Sequence, residues 1–253
     1  MSAVEFLGQV ADGRSPAVGA GVLVLGGGNS AMDAARTALR LGATDVAVLY
    51  RRTRHEMPCL MAEVDATEAE GVRLDTLVSP VRLDRVDDRT LRLTCVRMTL
   101  GAPDASGRPR PEAVPGSEFT LETSTVIAAV GQTVERDALA GSGLALSSSG
   151  ISADPTTLAT NLDGVFAGGD GVTGADVAVR AVAAGRLAAI SIDQYLGGRL
   201  VEGHPEMLNV LMSKLSESEM AELFRQIEST PRAHVAERAP DERARSFEEV
   251  EPG

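Results

Sequence analysis

The sequence is poor in lysine, cysteine and aromatic residues, and each shortage excludes a kind of site. Lys214 is the only lysine among 24 basic residues, so a P-loop lysine or a Schiff-base lysine is excluded from the first two hundred residues. Cys59 and Cys95 are too few and too far apart for a disulfide framework, an iron–sulfur cluster or a zinc site. The three histidines lack the spacing of metal ligands. We therefore expect no metal site, and two buried or half-buried thiols that fit a reducing cytoplasm.

Long apolar runs and an excess of positive charge are also missing. No stretch is apolar and long enough to span a bilayer, and the N-terminus lacks a basic and then apolar signal region. The net charge of −12 argues against a nucleic-acid partner, since phosphate backbones attract cationic surfaces. The composition predicts a cytoplasmic protein that binds neither nucleic acid nor a membrane. A length of 253 residues suffices for one large or two small domains.

The most informative segment is an apolar strand from Gly21 that runs into a glycine-rich turn and then a helix. In this pattern, Gly26 permits the tight turn, Gly28 lets the main chain approach a phosphate, and Ala31 lets the helix pack on the strand. The first amides of a helix have no partner within it, so they and the helix dipole face an anion. The predicted pyrophosphate-binding residues are Gly26, Gly27, Gly28, Asn29, Ser30 and Ala31.

The surroundings of this turn fit a Rossmann unit. Alanines at helical spacing predict one buried helix face. The opposite face, predicted to be solvated, carries Asp33, Arg36, Thr37 and Arg40. Gly42 ends the helix in a left-handed conformation, and a second strand follows over 45–50. Strand, turn, helix and strand thus fit within about thirty residues, as dinucleotide binding requires.

The tip of the second strand predicts which nucleotide binds. An NAD site places an acidic residue there to bind the ribose 2′-hydroxyl. This chain instead has Arg51, Arg52 and Arg54, whose guanidinium groups suit a 2′-phosphate. The sequence therefore predicts a preference for NADP(H), with Arg51 and Arg52 as ligands. The alternative is a solvated basic loop.

The middle of the chain predicts an antiparallel element. A strand beginning near Val72 is predicted to end at Pro80. Within 91–100, two alternating apolar sets are out of phase, which predicts a β-bulge. Residues 101–117 are rich in proline and glycine and predict a long exposed turn, and 118–123 return as the partner strand.

Two continuous apolar runs, 126–130 and 164–168, predict parallel strands buried on both faces. The first ends in Gly131 and Gln132, and the second in Gly169 and Asp170. An acid at the carboxyl end of such a strand lies where α/β sheets bind ligands. We expect its carboxylate to have a hydroxyl or amide partner. An alanine-rich helix over 175–196 follows and points its N-terminus at the same crevice.

Several motifs in order and spacing carry a family resemblance. They are Gly26–Asp33 (GGGNSAMD), Tyr50–Arg52 (YRR), Glu56–Pro58 (EMP), Ala129–Gln132 (AVGQ) and Val165–Asp170 (VFAGGD). Together they resemble the small-subunit family of NADPH-dependent glutamate synthase, and the N-terminal part of dihydropyrimidine dehydrogenase is similar. The resemblance implies an α/β fold in which a Rossmann-like NADP-binding domain with a β-hairpin is inserted into a glutathione-reductase-like FAD-binding domain.

The resemblance also implies roles for the second half of the chain. Gly131 and Gln132 would mark the crossing back into the FAD-binding domain and are among the predicted cofactor-binding residues. Gly169 and Asp170 would face the ribityl chain or pyrophosphate of FAD, and amides near Val177 would face the flavin pyrimidine. NADPH would pass a hydride to FAD, and electrons would continue to iron–sulfur clusters of a partner or large subunit. No acid–base side chain is required, because the flavin carries the chemistry.

The chain departs from that family at its ends. Family members begin with a cysteine-rich cluster segment and their own FAD glycine turn, and this sequence contains neither. The implied organisation is a lead-in over 1–18, an NADP-binding domain over 19–128, the C-terminal part of an FAD-binding domain over 129–200 and an acidic tail over 201–253. We therefore expect the chain alone to bind NADP(H) well and FAD weakly or not at all.

The tail carries little chemistry. Ser216 and Glu219 form a capping-box pattern before a short amphipathic helix that reaches Ile227, and the segment beyond Pro231 is predicted to be extended or disordered. It is interpreted as a solvated linker, or alternatively as a segment that docks on a partner subunit.

Two classes of function stay open. One is a subunit or fragment of a flavin-dependent NADPH oxidoreductase, and the other is a dinucleotide-binding module without redox activity of its own. A dehydrogenase without flavin is disfavoured, because the sequence offers no catalytic Tyr-Lys or His-Asp pair.

Overall fold

A computed structural model describes residues 1–103, 107–204, 216–225, 233 and 235–251. The chain forms two compact units. The first contains 1–130 and 233–253, and the second contains 131–232. The chain thus leaves the first unit once and returns to it.

The helices are α1 (Ala3–Ala11), α2 (Asn29–Arg40), α3 (Met61–Ala69), α4 (Asp170–Thr173), α5 (Ala178–Leu196), α6 (Glu217–Phe224) and α7 (Pro240–Arg243). The strands are β1 (Gly21–Leu25), β2 (Asp45–Tyr50), β3 (Arg73–Thr76), β4 (Val78–Arg85), β5 (Leu91–Pro103), β6 (Pro109–Ala113), β7 (Phe119–Thr123) and β8 (Thr125–Ala128).

The first unit is built on a four-stranded parallel sheet. Its strand order is β3-β2-β1-β8, with β1 between β2 and β8. The segment between β1 and β2 is helix α2, so the predicted strand, turn, helix and second strand are confirmed. Gly42 ends α2 with a φ of +98°, also as predicted. This is the strand order of a Rossmann unit.

Alternating side chains on the parallel sheet build two separate cores. Val22 and Val24 of β1 point to the side packed by α1, α2 and α3. Leu23, between them, points to the opposite side, where Val78, Leu93 and other residues of the antiparallel sheet cover it. Because the sheet is covered on both faces, its strand β1 is apolar throughout.

The lead-in segment forms helix α1, which is part of the first unit. Ser2 caps the helix by accepting a hydrogen bond from the Glu5 amide, and Phe6 is fully buried. The Ala128 amide donates to the Met1 carbonyl at 3.0 Å. The N-terminal segment is therefore fixed beside β8.

The antiparallel sheet differs from three sequence predictions. Strand β4 continues through Pro80 as an edge strand, because the pairing with β5 shifts between Pro80 and Arg82 and accommodates the proline. The irregularity thus lies in β4, and β5 changes its burial phase where its partner changes from β7 to β6. Residues 101–117 are not one long turn, since β5 runs to Pro103 and pairs with β6.

The second unit contains one predicted element and lacks another. Helix α5 is present, with Val177 as its N-cap residue. The strand predicted over 164–168 is wrong, because Phe166 makes a single antiparallel bridge with Ala159 and no ladder. An extended segment becomes a strand only beside a neighbour, and the described residues of this unit supply no parallel partner. The run 126–130 also ends early, since β8 stops at Ala128 and Val130 is 75% exposed.

The C-terminal region is partly helical. The capping box predicted at Ser216 and Glu219 is confirmed at the start of α6, whereas Ile227 lies outside the described residues. Beyond 233 the chain is not simply extended, since it forms the short helix α7 in the first unit. In the part of the chain described, no helix combines the length and apolar character needed to cross a bilayer.

The charged face of α2 packs against α3, so the prediction that Arg36 and Thr37 are solvated is wrong: both are buried. Arg36 donates to the two carboxylate oxygens of Glu70 at 3.0 and 2.6 Å, and to Glu63 at 2.7 Å. Hydrogen bonding to Glu70 raises the pKa of Arg36. The helical pattern separates polar from apolar positions, but it does not show that Glu70, 34 residues further along the chain, pairs with Arg36.

Helix α7 completes this ionic cluster. The Arg243 Nε lies 3.5 Å from a carboxylate oxygen of Glu70, and Arg243 also donates to Glu237 at 2.6 Å. Arg40 donates through Nε to the carbonyl oxygens of Arg243 and Ser246, each at 2.9 Å. The returning segment is thus held on α2 and α3 by buried charges.

Candidate functional site

The turn after β1 is fixed by contacts within the protein at its first two glycines. Gly26 has a φ of +141°, and a Cβ at this position would lie 2.2 Å from the Ala129 carbonyl oxygen. A Cβ on Gly27 would lie 2.5 Å from the ring of Tyr50. Both glycines are therefore required for the chain to fold this way.

The third glycine, Gly28, is not required by a steric clash of this kind. A Cβ on Gly28 would meet only Pro58 Cγ, at 3.9 Å, which is an ordinary contact. Gly28 is the N-cap residue of α2. The amides of Asn29 and Ser30 follow it at an exposed helix start, and neither has an acceptor among the described residues. The open space and the unpaired amides fit a phosphate group approaching the main chain.

A second segment closes over this turn. The Cys59 amide donates to the Gly27 carbonyl at 3.3 Å, and the Leu60 amide donates to the Asn29 side chain at 3.3 Å. The Tyr50 hydroxyl donates to the Glu56 carbonyl at 2.6 Å. The supporting roles of Asn29 and Tyr50 were not predicted from the sequence, although the Glu56–Pro58 motif lies in the segment that Tyr50 holds.

The three arginines after β2 have different surroundings. Arg51 is exposed. Arg52 is only 4% exposed, and its Nε donates to the Pro109 carbonyl at 2.8 Å. Arg54 is paired with Asp65 and Glu68, both on α3. The basic motif therefore presents Arg51 most openly to a ligand.

Four of the predicted cofactor-binding residues, Gly131, Gln132, Gly169 and Asp170, lie in the second unit at or beside one cavity. Its volume is about 240 Å³, and it is lined by Gln132, Thr133, Val134, Asp170, Gly171, Gly174 and Ala175. The structure thus brings Gln132 and Asp170 together, with Gly131 and Gly169 adjacent to them in sequence. Gly169 has a φ of +62° and caps α4. Val177, at the start of α5, is 57% exposed and does not line the cavity.

The exposed carboxylate of Asp170 suits hydroxyl groups of a nucleotide, whereas the neighbouring glycine main chain suits its phosphates. A cavity of 240 Å³ is smaller than sites that enclose a whole drug-sized ligand, which begin at roughly 300 Å³. The donor set of the second unit therefore fits part of a flavin nucleotide.

Both cysteines are buried, as the sequence predicts. Burial raises the pKa of Cys59 to about 11, with Glu63 and Asp33 adding to the effect, and burial likewise raises the pKa of Cys95.

At pH 8 an unfolded cysteine is about one quarter thiolate, whereas one with the pKa of Cys59 is about 0.1% thiolate. We expect iodoacetamide to modify the native protein at least about 100-fold more slowly than the same protein in urea. Equal rates in the two conditions would contradict the buried environment.

Comparison with known proteins identifies a family and several relatives. Residues 3–185 match the family described as pyridine nucleotide-disulphide oxidoreductase. The NADP(+)-dependent formate dehydrogenase subunit beta of Moorella thermoacetica is 50% identical over 194 residues, which are 76% of this chain and 27% of that protein. The NADPH-Fe(3+) oxidoreductase subunit beta of Geobacter sulfurreducens is 36% identical over an alignment of 284 residues, covering 99% of this chain and 41% of that protein.

The resemblance seen in the sequence is confirmed by a third relative. The glutamate synthase [NADPH] small chain of Azospirillum brasilense is 42% identical over 187 residues, which are 73% of this chain and 39% of that protein. The chain spans less than half the length of each of these three relatives.

Solved structures support the fold. Mycobacterium tuberculosis FprA in complex with NADPH has a TM-score of 0.60 at 18% identity, covering 78% of this chain and 58% of that chain. Thioredoxin reductase of T. acidophilum has a TM-score of 0.53 at 23% identity, covering 70% and 52%. With the parallel sheet described above, these matches confirm the predicted fold class. Since the family model spans more than half of the residues, this chain belongs to the pyridine nucleotide-disulphide oxidoreductase family.

Proposed function

We propose that this chain supplies the NADP(H)-binding domain and part of the FAD site of an NADPH-dependent flavin oxidoreductase. The observation that carries the proposal is the open space at Gly28, next to the unpaired amides of Asn29 and Ser30. No described residue would clash with a side chain at this position, so we attribute the glycine to a ligand. The reaction class is inferred from the relatives, which include an NADP(+)-dependent formate dehydrogenase subunit, an NADPH-Fe(3+) oxidoreductase subunit and a glutamate synthase [NADPH] small chain.

The first unit would hold NADP(H) at two points. The amides that begin α2 bind the pyrophosphate, supported by the helix dipole. The arginines that follow β2 bind the 2′-phosphate, with Arg51 exposed to it and Arg52 next in the chain. Charge-assisted hydrogen bonds to this phosphate give the preference for NADP(H) over NAD(H).

The second unit would hold part of FAD. Asp170 accepts hydrogen bonds from ribityl hydroxyls, Gln132 lies across the same cavity, and the amides near Val177 at the start of α5 face the pyrimidine edge. When bound, FAD supplies hydride acceptance and passes single electrons to an iron–sulfur or large-subunit partner. The chain's own residues bind and orient the two nucleotides.

Titration calorimetry with NADP⁺ and NAD⁺ tests the first part. A charge-assisted bond is worth about 1.5–3 kcal/mol, so we expect NADP⁺ to bind roughly 10- to 100-fold more tightly than NAD⁺. Equal affinities would contradict the proposed nucleotide preference.

The visible spectrum after incubation with FAD and desalting tests the second part. We expect little retained flavin, because the cavity encloses only part of the molecule. Titration before desalting should nevertheless show weak FAD binding that Asp170→Ala weakens further. A stoichiometric flavin band would overturn the partial site, and an absence of any FAD binding would favour the alternative of a dinucleotide-binding module without redox activity.

A further inference from the structure

The neighbouring arginines Arg51 and Arg52 have opposite environments although one motif contains both. Arg51 is exposed, whereas Arg52 is 4% exposed. A residue that selects between NADP(H) and NAD(H) must reach a phosphate that arrives from solvent. A buried guanidinium instead requires acceptors from the protein itself, since its desolvation is costly.

Arg52 has such an acceptor on the antiparallel sheet. Its Nε donates to the carbonyl oxygen of Pro109, the first residue of β6, at 2.8 Å. This bond joins the end of β2 to a hairpin strand 57 residues further along the chain. Strands β5 and β6 pair at Pro103 and Pro109, so the bond reaches the closed end of their hairpin.

The main chain of Arg52 is fastened to the same sheet. Its carbonyl accepts from the Leu77 amide at 3.1 Å, and the Leu77 carbonyl accepts from the Met98 amide at 2.8 Å. Leu77 has a φ of +55°, a left-handed conformation that is rare for a leucine. These bonds run from the end of β2 through the β3–β4 junction to β5, so Arg52 is held at both its side chain and its backbone.

We propose that Arg52 is a positioning residue that anchors the β5–β6 hairpin to the end of β2, and that Arg51 alone of the pair determines specificity for the 2′-phosphate. The inference refines the proposed function and rests on it for the role of Arg51. The anchor itself rests only on the contacts of Arg52.

The test compares Arg51→Ala with Arg52→Met, which keeps an unbranched apolar stem but cannot donate. Calorimetry at fixed salt gives the ratio of the NAD⁺ dissociation constant to the NADP⁺ dissociation constant. Amide hydrogen exchange in peptides covering 107–113 measures how stably the hairpin is held. We expect Arg51→Ala to lower the ratio about 10- to 100-fold with unchanged exchange. We expect Arg52→Met to keep the ratio within about threefold and to speed exchange in the hairpin.

Two further variants guard the interpretation. Arg85→Ala removes an exposed positive charge from β4 and should change neither quantity. Arg52→Lys, whose ammonium can still donate to the Pro109 carbonyl, should restore part of the hairpin protection and serves if Arg52→Met fails to fold. A ratio that falls as far in the Arg52 variants as in Arg51→Ala would overturn the inference, as would unchanged hairpin exchange in Arg52→Met. If the unaltered protein shows no preference for NADP⁺, the proposed function fails, and hydrogen exchange still decides whether Arg52 is an anchor.

Discussion

Replacing Glu70 with alanine is expected to lower the free energy of unfolding by about 3–5 kcal/mol, because it breaks a buried ion pair from one side. The Glu70 side chain is fully buried and accepts from Arg36 at 2.6 and 3.0 Å and from Arg40 at 3.3 Å. Arg243 lies 3.5 Å away. The variant leaves three guanidinium groups close together in a desolvated place, with their main counter-charge removed.

Urea unfolding followed by far-ultraviolet circular dichroism measures this effect, since the chain has no tryptophan for fluorescence. Glu122→Ala is the matched control. Glu122 is 56% exposed and pairs with Arg92 at 2.8 Å, and an exposed pair of this kind contributes at most about 1 kcal/mol. Similar losses in the two variants would show that the Glu70 cluster is not a desolvated network.

Alanine at Gly26 and at Gly28 is expected to have opposite consequences, although the two glycines belong to one motif. Gly26→Ala should lower the free energy of unfolding by about 3–5 kcal/mol, because φ is +141° and the new Cβ would lie 2.2 Å from the Ala129 oxygen. Gly28→Ala should change it by less than about 1 kcal/mol, since the Cβ has room and only the N-cap preference is lost.

The Gly28→Ala variant, although nearly as stable as the unaltered protein, should bind nucleotides more weakly. The methyl group of Gly28→Ala would occupy the space through which a phosphate approaches the helix amides, so we expect NADP⁺ and NAD⁺ to bind at least about 10-fold more weakly. Calorimetry on the folded variant measures this loss. An unchanged affinity would remove the main support for a pyrophosphate site at this turn.

The sequence predicted those parts of the site that depend on local backbone geometry. The turn at Gly26, the end of α2 at Gly42 and the strand over 45–50 all follow from neighbouring residues, and the structure has each of them. The resemblance placed Asp170 at the flavin and Gln132 at the crossing between the domains, and the structure brings both to one cavity.

The parts that the sequence did not reveal depend on distant partners. The sequence predicts a solvated Arg36 because Glu70 lies 34 residues further along the chain, and it does not show that Arg52 will donate to the Pro109 carbonyl of β6. Residues 101–117 have the composition of a turn, yet 109–113 form strand β6, which pairs with β5. In each case a contact between remote segments determined the outcome, and local periodicity carries no information about such contacts.

The return of the chain to the first unit affects how the protein is made. During synthesis, the parallel sheet has all its strands once β8 leaves the ribosome, but the bonds from Arg40 to the carbonyls of Arg243 and Ser246 join residues 203 and 206 positions apart. At a synthesis rate of about 5–20 residues per second, Arg243 is added to the chain on the order of ten seconds after α2 and α3. Until then Glu70 has two of its three guanidinium partners, so this charge cluster is complete only after the second unit has been translated.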